Sequence, residues 1–155
     1  MKIKHKILIA LLLIFIGMQF FSPKKNISES IPETDFIRLT KPPKEIANLL
    51  KTSCYDCHSN NTHYPWYNKI APISYWLASH INEGKEHLNF SEWQNYPLDR
   101  KVHKLEEVGE EVQERKMPLE SYTILHGNAK LDDDQIFELL EWTDKIKTSY
   151  ESGAR

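Results

Sequence analysis

The chain is expected to fold as an all-α domain. Several segments place apolar residues at helical spacing, proline and glycine fall between those segments, and no stretch alternates apolar with polar residues for long enough to build a sheet. At 155 residues, with 40% hydrophobic and 27% charged, it holds the material of one core plus accessory segments. Residues 1–21 are expected to be an export signal or membrane anchor, 22–42 a tether, and 43–150 the domain itself.

The first element is the apolar run Ile7 to Phe21, broken only by Gln19 and preceded by Lys2, Lys4 and Lys6, which predicts an N-terminal hydrophobic helix. The run covers roughly 22 Å against a hydrocarbon core of roughly 30 Å, so a secretory signal and a short anchor are both open. Its bulky exit, Met18-Gln19-Phe20-Phe21, lacks the small residues of a cleavage site and favours an uncleaved anchor. Ser22 to Pro42 mixes Ser, Pro, Lys and acids without a helical period, hence the tether.

After Pro43, the residues Ile46, Ala47, Leu49 and Leu50 predict a short helix running into Cys54. Ser59 to Ala71, rich in Asn, Pro and aromatics, reads as an irregular loop. Ile73, Trp76, Leu77, His80 and Ile81 mark a second helix with Gly84 as its stop, and Ser91 to Tyr96 a single turn around Trp93. Asp99 caps a third helix bearing Val102, Leu105, Val108 and Val112, which ends at Met117-Pro118. A short helix over Leu119 to Leu125 follows. Asp132 and Gln135 then form a capping box that opens the last helix, with Ile136, Leu139, Leu140, Thr143 and Ile146 on one face. The first and last helices of the domain are each too short to bury a stripe alone. They are expected to pack through Ile46, Leu49 and Leu50 against Ile136, Leu139 and Leu140.

The net charge of -2 hides an asymmetry, because residues 1–25 carry five Lys and no acid and the remainder holds 15 bases against 22 acids. Such a body repels a polyanion, which excludes nucleic acid as a partner.

Both cysteines of the chain lie in Cys54-Tyr55-Asp56-Cys57-His58. Two thiols at this spacing can each add to a vinyl group of one porphyrin while the adjacent imidazole approaches the iron, so the string predicts one covalently attached haem c with His58 as axial ligand. The competing readings lack parts. A redox dithiol belongs near a βαβ pattern and a zinc site needs two more ligands at defined spacing, while an ordinary disulfide is the third rival. On the other face of the iron, Met117 offers a soft thioether fixed in a loop by Pro118, and it is the one methionine outside the export segment. The plainer role for Met117 is core filler. His80, on an apolar stripe, and His126, beside Gly127, compete for the same place, whereas His63, His87 and His103 read as surface residues.

The helix entering Cys54-x-x-Cys57-His58, the Met117-Pro118 step and the last helix opened by Leu131-Asp132 resemble class I cytochromes c. More closely, Cys54 to Asn60, Tyr64-Pro65-Trp66-Tyr67, Ile70-Ala71-Pro72 and Leu88 to Trp93 resemble the bacterial haem-binding domain family, over roughly residues 42–148. That family is sometimes found beside peroxidase-type cytochrome domains. The resemblance implies a cytochrome c-like fold around one haem, with thioether links at Cys54 and Cys57 and axial ligands at His58 and Met117. It also implies that a proline carbonyl, here that of Pro72, orients the proximal imidazole. Trp66 and Tyr67, with the helix carrying Trp76 and His80, are expected to line the haem slot.

Together these readings predict a mono-haem electron carrier rather than an enzyme in its own right, serving a redox partner with a basic face. It is expected on the periplasmic side of a bacterial inner membrane, held by the uncleaved helix, or released to the periplasm by cleavage. The alternative function is a haem-based sensor or an accessory module of a peroxidase-type system, with an open or labile sixth position.

Overall fold

A computed structural model describes residues 2–153, and among them helix is the only regular structure. The elements are α1 (Ile3–Met18), α2 (Phe36–Thr40), α3 (Lys44–Ser53), α4 (Tyr55–His58), α5 (Ile73–His87), α6 (Leu98–Gln113), α7 (Glu120–Thr123) and α8 (Asp133–Glu151). Single 3-10 segments fall at Trp66–Lys69, Phe90–Asn95 and Gly127–Ala129. The fold is all-α, as its periodicity predicts.

The main core forms where α3, α6 and α8 meet. Ile46 and Leu50 of α3, Leu105 and Val112 of α6, and Leu139 and Trp142 of α8 are buried together, with Leu49 and Ile136 packed against them. The expected contact of α3 with α8 is present, although α6 gives α8 its longest neighbour. At the start of α8 the capping box is complete: the Gln135 amide donates to Asp132 Oδ1 at 2.8 Å, and the Asp132 amide to Gln135 Oε1 at 3.1 Å. At α6 the helix begins at Leu98 after Pro97, so Asp99 lies in the first turn instead of capping it.

The segment expected as a tether is built into the domain. Asp35 caps α2, and Phe36 is 1% exposed, stacked on Phe90 with centroids 5.1 Å apart and close to Trp93 at 4.5 Å. Upstream, Asn26 uses all of its polar groups. Its amide donates to the Tyr64 hydroxyl at 2.7 Å, and its side-chain nitrogen to Ser59 O at 2.7 Å and Thr62 Oγ1 at 2.9 Å. Its carbonyl accepts from the Thr62 amide at 2.9 Å, and its Oδ1 from Lys85 Nζ at 2.7 Å. A five-residue helix and an extended strap have no period to show in sequence, which is why the stretch read as loose.

α5 also departs from expectation. It runs through Gly84 to His87, and its buried face is Ser74, Leu77 and Ile81, while Ile73 and Trp76 are exposed. The reason is Gly84: a Cβ there would lie 2.9 Å from the Cys57 carbonyl oxygen. The face that ends in Gly84 is the one that packs on α4, and this rotates the aromatic stripe outward.

α1 carries exposed apolar side chains along its whole length. Among the described residues, no helix is long and apolar enough to cross a membrane.

Candidate functional site

At Cys54 the backbone leaves helical geometry (φ -124°, ψ -44°), ending α3 and starting α4, the turn that carries Cys57 and His58. The amides of Cys57 and His58 both donate to the Cys54 carbonyl, at 3.2 and 2.9 Å, so the three residues form one short rigid unit. Close approach of α5 at Gly84 holds that unit from behind.

His58 Nδ1 lies 3.0 Å from the carbonyl oxygen of Leu88. A ring nitrogen facing a carbonyl carries the hydrogen, so Nε2 keeps its lone pair and is the nitrogen that could hold a metal. Burial depresses the His58 pKa below the usual imidazole range, against the opposing pull of the Leu88 bond, which favours the neutral ring. Phe90 meets the imidazole edge-on at 6.3 Å and stacks on Tyr55 at 5.1 Å. The expected orienting carbonyl, that of Pro72, is engaged elsewhere. It accepts the amides of Tyr75 and Trp76 at 3.1 and 3.2 Å in the first turn of α5, so Leu88 takes the role assigned to Pro72.

Cys54 and Cys57 are not joined in a disulfide. Burial pushes the Cys54 pKa up to about 12 and that of Cys57 up to about 11, with the neighbouring Asp56 charge adding to the latter. This is the reverse of the depressed thiolate on which a redox dithiol depends. Among the described residues, no three His, Cys, Asp or Glu side chains gather as a metal cage would need, so a zinc reading lacks its ligands. Two protonated thiols flanking a turn, with a pre-oriented imidazole beside them, are a donor set that fits haem attachment.

Asp56, inside the motif, organises a second set of side chains. Its Oδ2 accepts from the Tyr122 hydroxyl at 2.8 Å and its Oδ1 from the His63 amide at 2.9 Å. The Tyr122 ring stacks on His126 (4.3 Å, 11°), and His126 Nε2 pairs with the Tyr67 hydroxyl at 2.7 Å. Tyr67 is buried with Leu77 and Ile81, and Cys57 packs against them. Burial raises the hydroxyl pKa of both tyrosines, so both stay protonated.

Of the residues expected to line the slot, Tyr67 thus meets the motif. Trp66 does not: it is 76% exposed and touches Tyr67 only edge-on, because the short 3-10 turn sends neighbouring side chains to opposite sides. Trp76 is exposed, and His80, half-buried against it, has Nδ1 3.8 Å from a Glu83 carboxylate oxygen. Met117 is half-buried against the main core, the same core on which Cys54 and Tyr55 pack. It lines an open depression of about 220 Å³ with Pro118, Leu131 and Ile136.

Sequence reasoning missed Leu88, Gly84, Asp56 and Tyr122. Leu88 acts through its backbone and leaves no side-chain signal, while Gly84 in the sequence has the signature of a helix stop.

No curated protein and no solved structure matched the chain. Residues 13–145 do match the family model described as a haem-binding domain, covering the α3–α4 turn, the Leu88 carbonyl and the Asp56 cluster alike. The chain belongs to the haem-binding domain family.

Proposed function

We propose that this haem-binding protein holds one haem c through thioether bonds at Cys54 and Cys57, with His58 and Met117 as axial ligands, and works as a mono-haem electron carrier. The observation that carries the reading is the His58 Nδ1 to Leu88 carbonyl bond, which fixes the tautomer and aims a neutral Nε2. A bound haem supplies one-electron cycling between ferric and ferrous iron.

The chain's own residues supply the rest. Cys54 and Cys57 fix the group at two points of one rigid turn, and Gly84 lets α5 back that turn. Phe90 and Tyr55 keep water from the imidazole edge. Met117 offers a thioether, which favours the ferrous state relative to a second imidazole. The acidic body favours a redox partner with a basic face. With the exposed helix α1 as anchor, the domain sits on the periplasmic side of a bacterial inner membrane.

A second reading rests on the Tyr67–His126 pair. A hydrogen-bonded imidazole beside Cys57 suits a sensor, or an accessory of a peroxidase-type system, with a labile sixth position.

The electronic spectrum of the purified holoprotein separates the two. Low-spin ferric iron with the weak near-infrared band of sulfur ligation supports the carrier, whereas high-spin iron that takes up carbon monoxide readily supports the sensor. Attachment is tested by acidified organic solvent, which should leave haem on the wild type and strip it from the Cys54→Ala/Cys57→Ala variant. Extraction from the wild type would refute covalent bonding.

A further inference from the structure

The C-terminal end of α1 is not free. Gln19 clasps the backbone of Ala71 with both ends of its amide: Oε1 accepts from the Ala71 amide at 3.0 Å, and Nε2 donates to the Ala71 carbonyl at 3.2 Å. One turn further on, the Tyr75 hydroxyl donates to the Phe21 carbonyl at 3.1 Å. The start of α5 is thereby pinned to the exit of the apolar helix, and what surrounds the pin is apolar and uncovered. Phe20 and Phe21 are 82% and 71% exposed, and Ile70, Ile73, Tyr75 and Trp76 are exposed as well. Lys24, three residues after Phe21, and Lys69, immediately before Ile70, both face solvent.

Three features of this arrangement agree with one another. α1 has 16 residues and so covers about 24 Å, short of the roughly 30 Å of a hydrocarbon core. A short apolar helix draws whatever is fixed to its end toward the bilayer. Here that is a surface of Ile, Trp, Tyr and Phe with Lys close by in sequence, the composition that seats at the boundary between acyl chains and headgroups. The rotation of α5 imposed by Gly84 is what turns Ile73 and Trp76 outward to make it.

We propose that the face formed by Phe20, Phe21, Ile70, Ile73, Tyr75 and Trp76 docks on a lipid surface, continuous with α1, and that Gln19 sets the angle at which the domain lies there. The inference rests on the proposed membrane attachment of α1 and is independent of which residues ligate haem.

The full-length holoprotein, reconstituted in phosphatidylcholine–phosphatidylglycerol vesicles with a diazirine in the acyl chains, tests it by photolysis and peptide mapping. Adducts are expected on both tryptic peptides, Ile7–Lys24 and Ile70–Lys85. Ile73→Glu should abolish those on Ile70–Lys85 and leave those on Ile7–Lys24. Gln19→Ala, which lies outside the core, should weaken the former in the same selective way, with the haem spectrum unchanged in both variants. Adducts confined to Ile7–Lys24 would overturn the docked face while keeping α1 in lipid, including the case in which a second copy covers the patch. Absence of all adducts would overturn both the docked face and the membrane attachment. Adducts on Ile70–Lys85 that persist in Ile73→Glu and Gln19→Ala would show non-specific labelling and refute the assignment.

Discussion

A methyl group on Gly84 would sit 2.9 Å from the carbonyl oxygen of Cys57 and 3.3 Å from its Cβ, so α5 and the turn that carries Cys57 and His58 meet nearly backbone to backbone. Neither partner is a flexible side chain that could swing away. Gly84→Ala should therefore cost about 1–3 kcal/mol of stability, the usual range for overpacking, in spite of the better helix propensity of alanine. Urea denaturation measures it. A variant as stable as the wild type would show that the two elements separate easily.

Phe36 is the second test, because it lies in the stretch that sequence alone assigns to a tether. Its ring contacts Phe90, Trp93 and Trp142, with centroids 5.1, 4.5 and 5.6 Å away. Phe36→Ala should destabilise the domain by about 3–5 kcal/mol. A loss below about 1 kcal/mol, within the range of a surface change, would return residues 22–42 to the role of a linker.

Asp35 gives the third, a pH dependence. Burial raises its carboxyl pKa above the usual range, although the amides of Ile37 and Arg38 and the Tyr55 hydroxyl all donate to its Oδ1. Its Oδ2 is buried and has no hydrogen-bond partner. A raised carboxylate binds its proton more tightly folded than unfolded, so this group lowers stability as pH rises from about 4 through the folded-state pKa. Asp35→Asn, which preserves an N-cap, should flatten that slope in denaturation curves taken across the window. A slope that survives the substitution must belong to another group.

Met117 gives the fourth. Ligation and core filling make opposite forecasts. If its sulfur holds the iron, Met117→Ala and Met117→Leu both open the sixth position to carbon monoxide and abolish the near-infrared sulfur band. If it only fills space, Met117→Leu leaves the haem spectrum unchanged and costs under about 1.5 kcal/mol.

Much of this was legible where the chemistry is local. Asp132 and Gln135 announce the start of α8 because the capping box is closed within one turn, and Cys54, Cys57 and His58 stand out because their spacing is itself the signal. What escaped is set by tertiary partners. Gly84 in a helical stretch reads equally as a stop or as a close approach, and only the presence of Cys57 decides. Leu88 contributes a carbonyl that every residue possesses, and Tyr122 gains its meaning from Asp56, 66 positions away. The outward turn of Trp66 and Trp76 has the same origin, since periodicity names a stripe but not the neighbour toward which it rotates.

The two clasps at the N-terminal end, Gln19 on Ala71 and Asn26 on the loop of Ser59, Thr62 and Tyr64, leave six residues between them. Fully stretched, the span from Gln19 to Asn26 is under about 25 Å, and with both clasps closed it cannot swing at all. Under the proposed carrier function the domain is a fixed post: whatever body holds α1 also sets the height and heading of His58, and a redox partner must come to it.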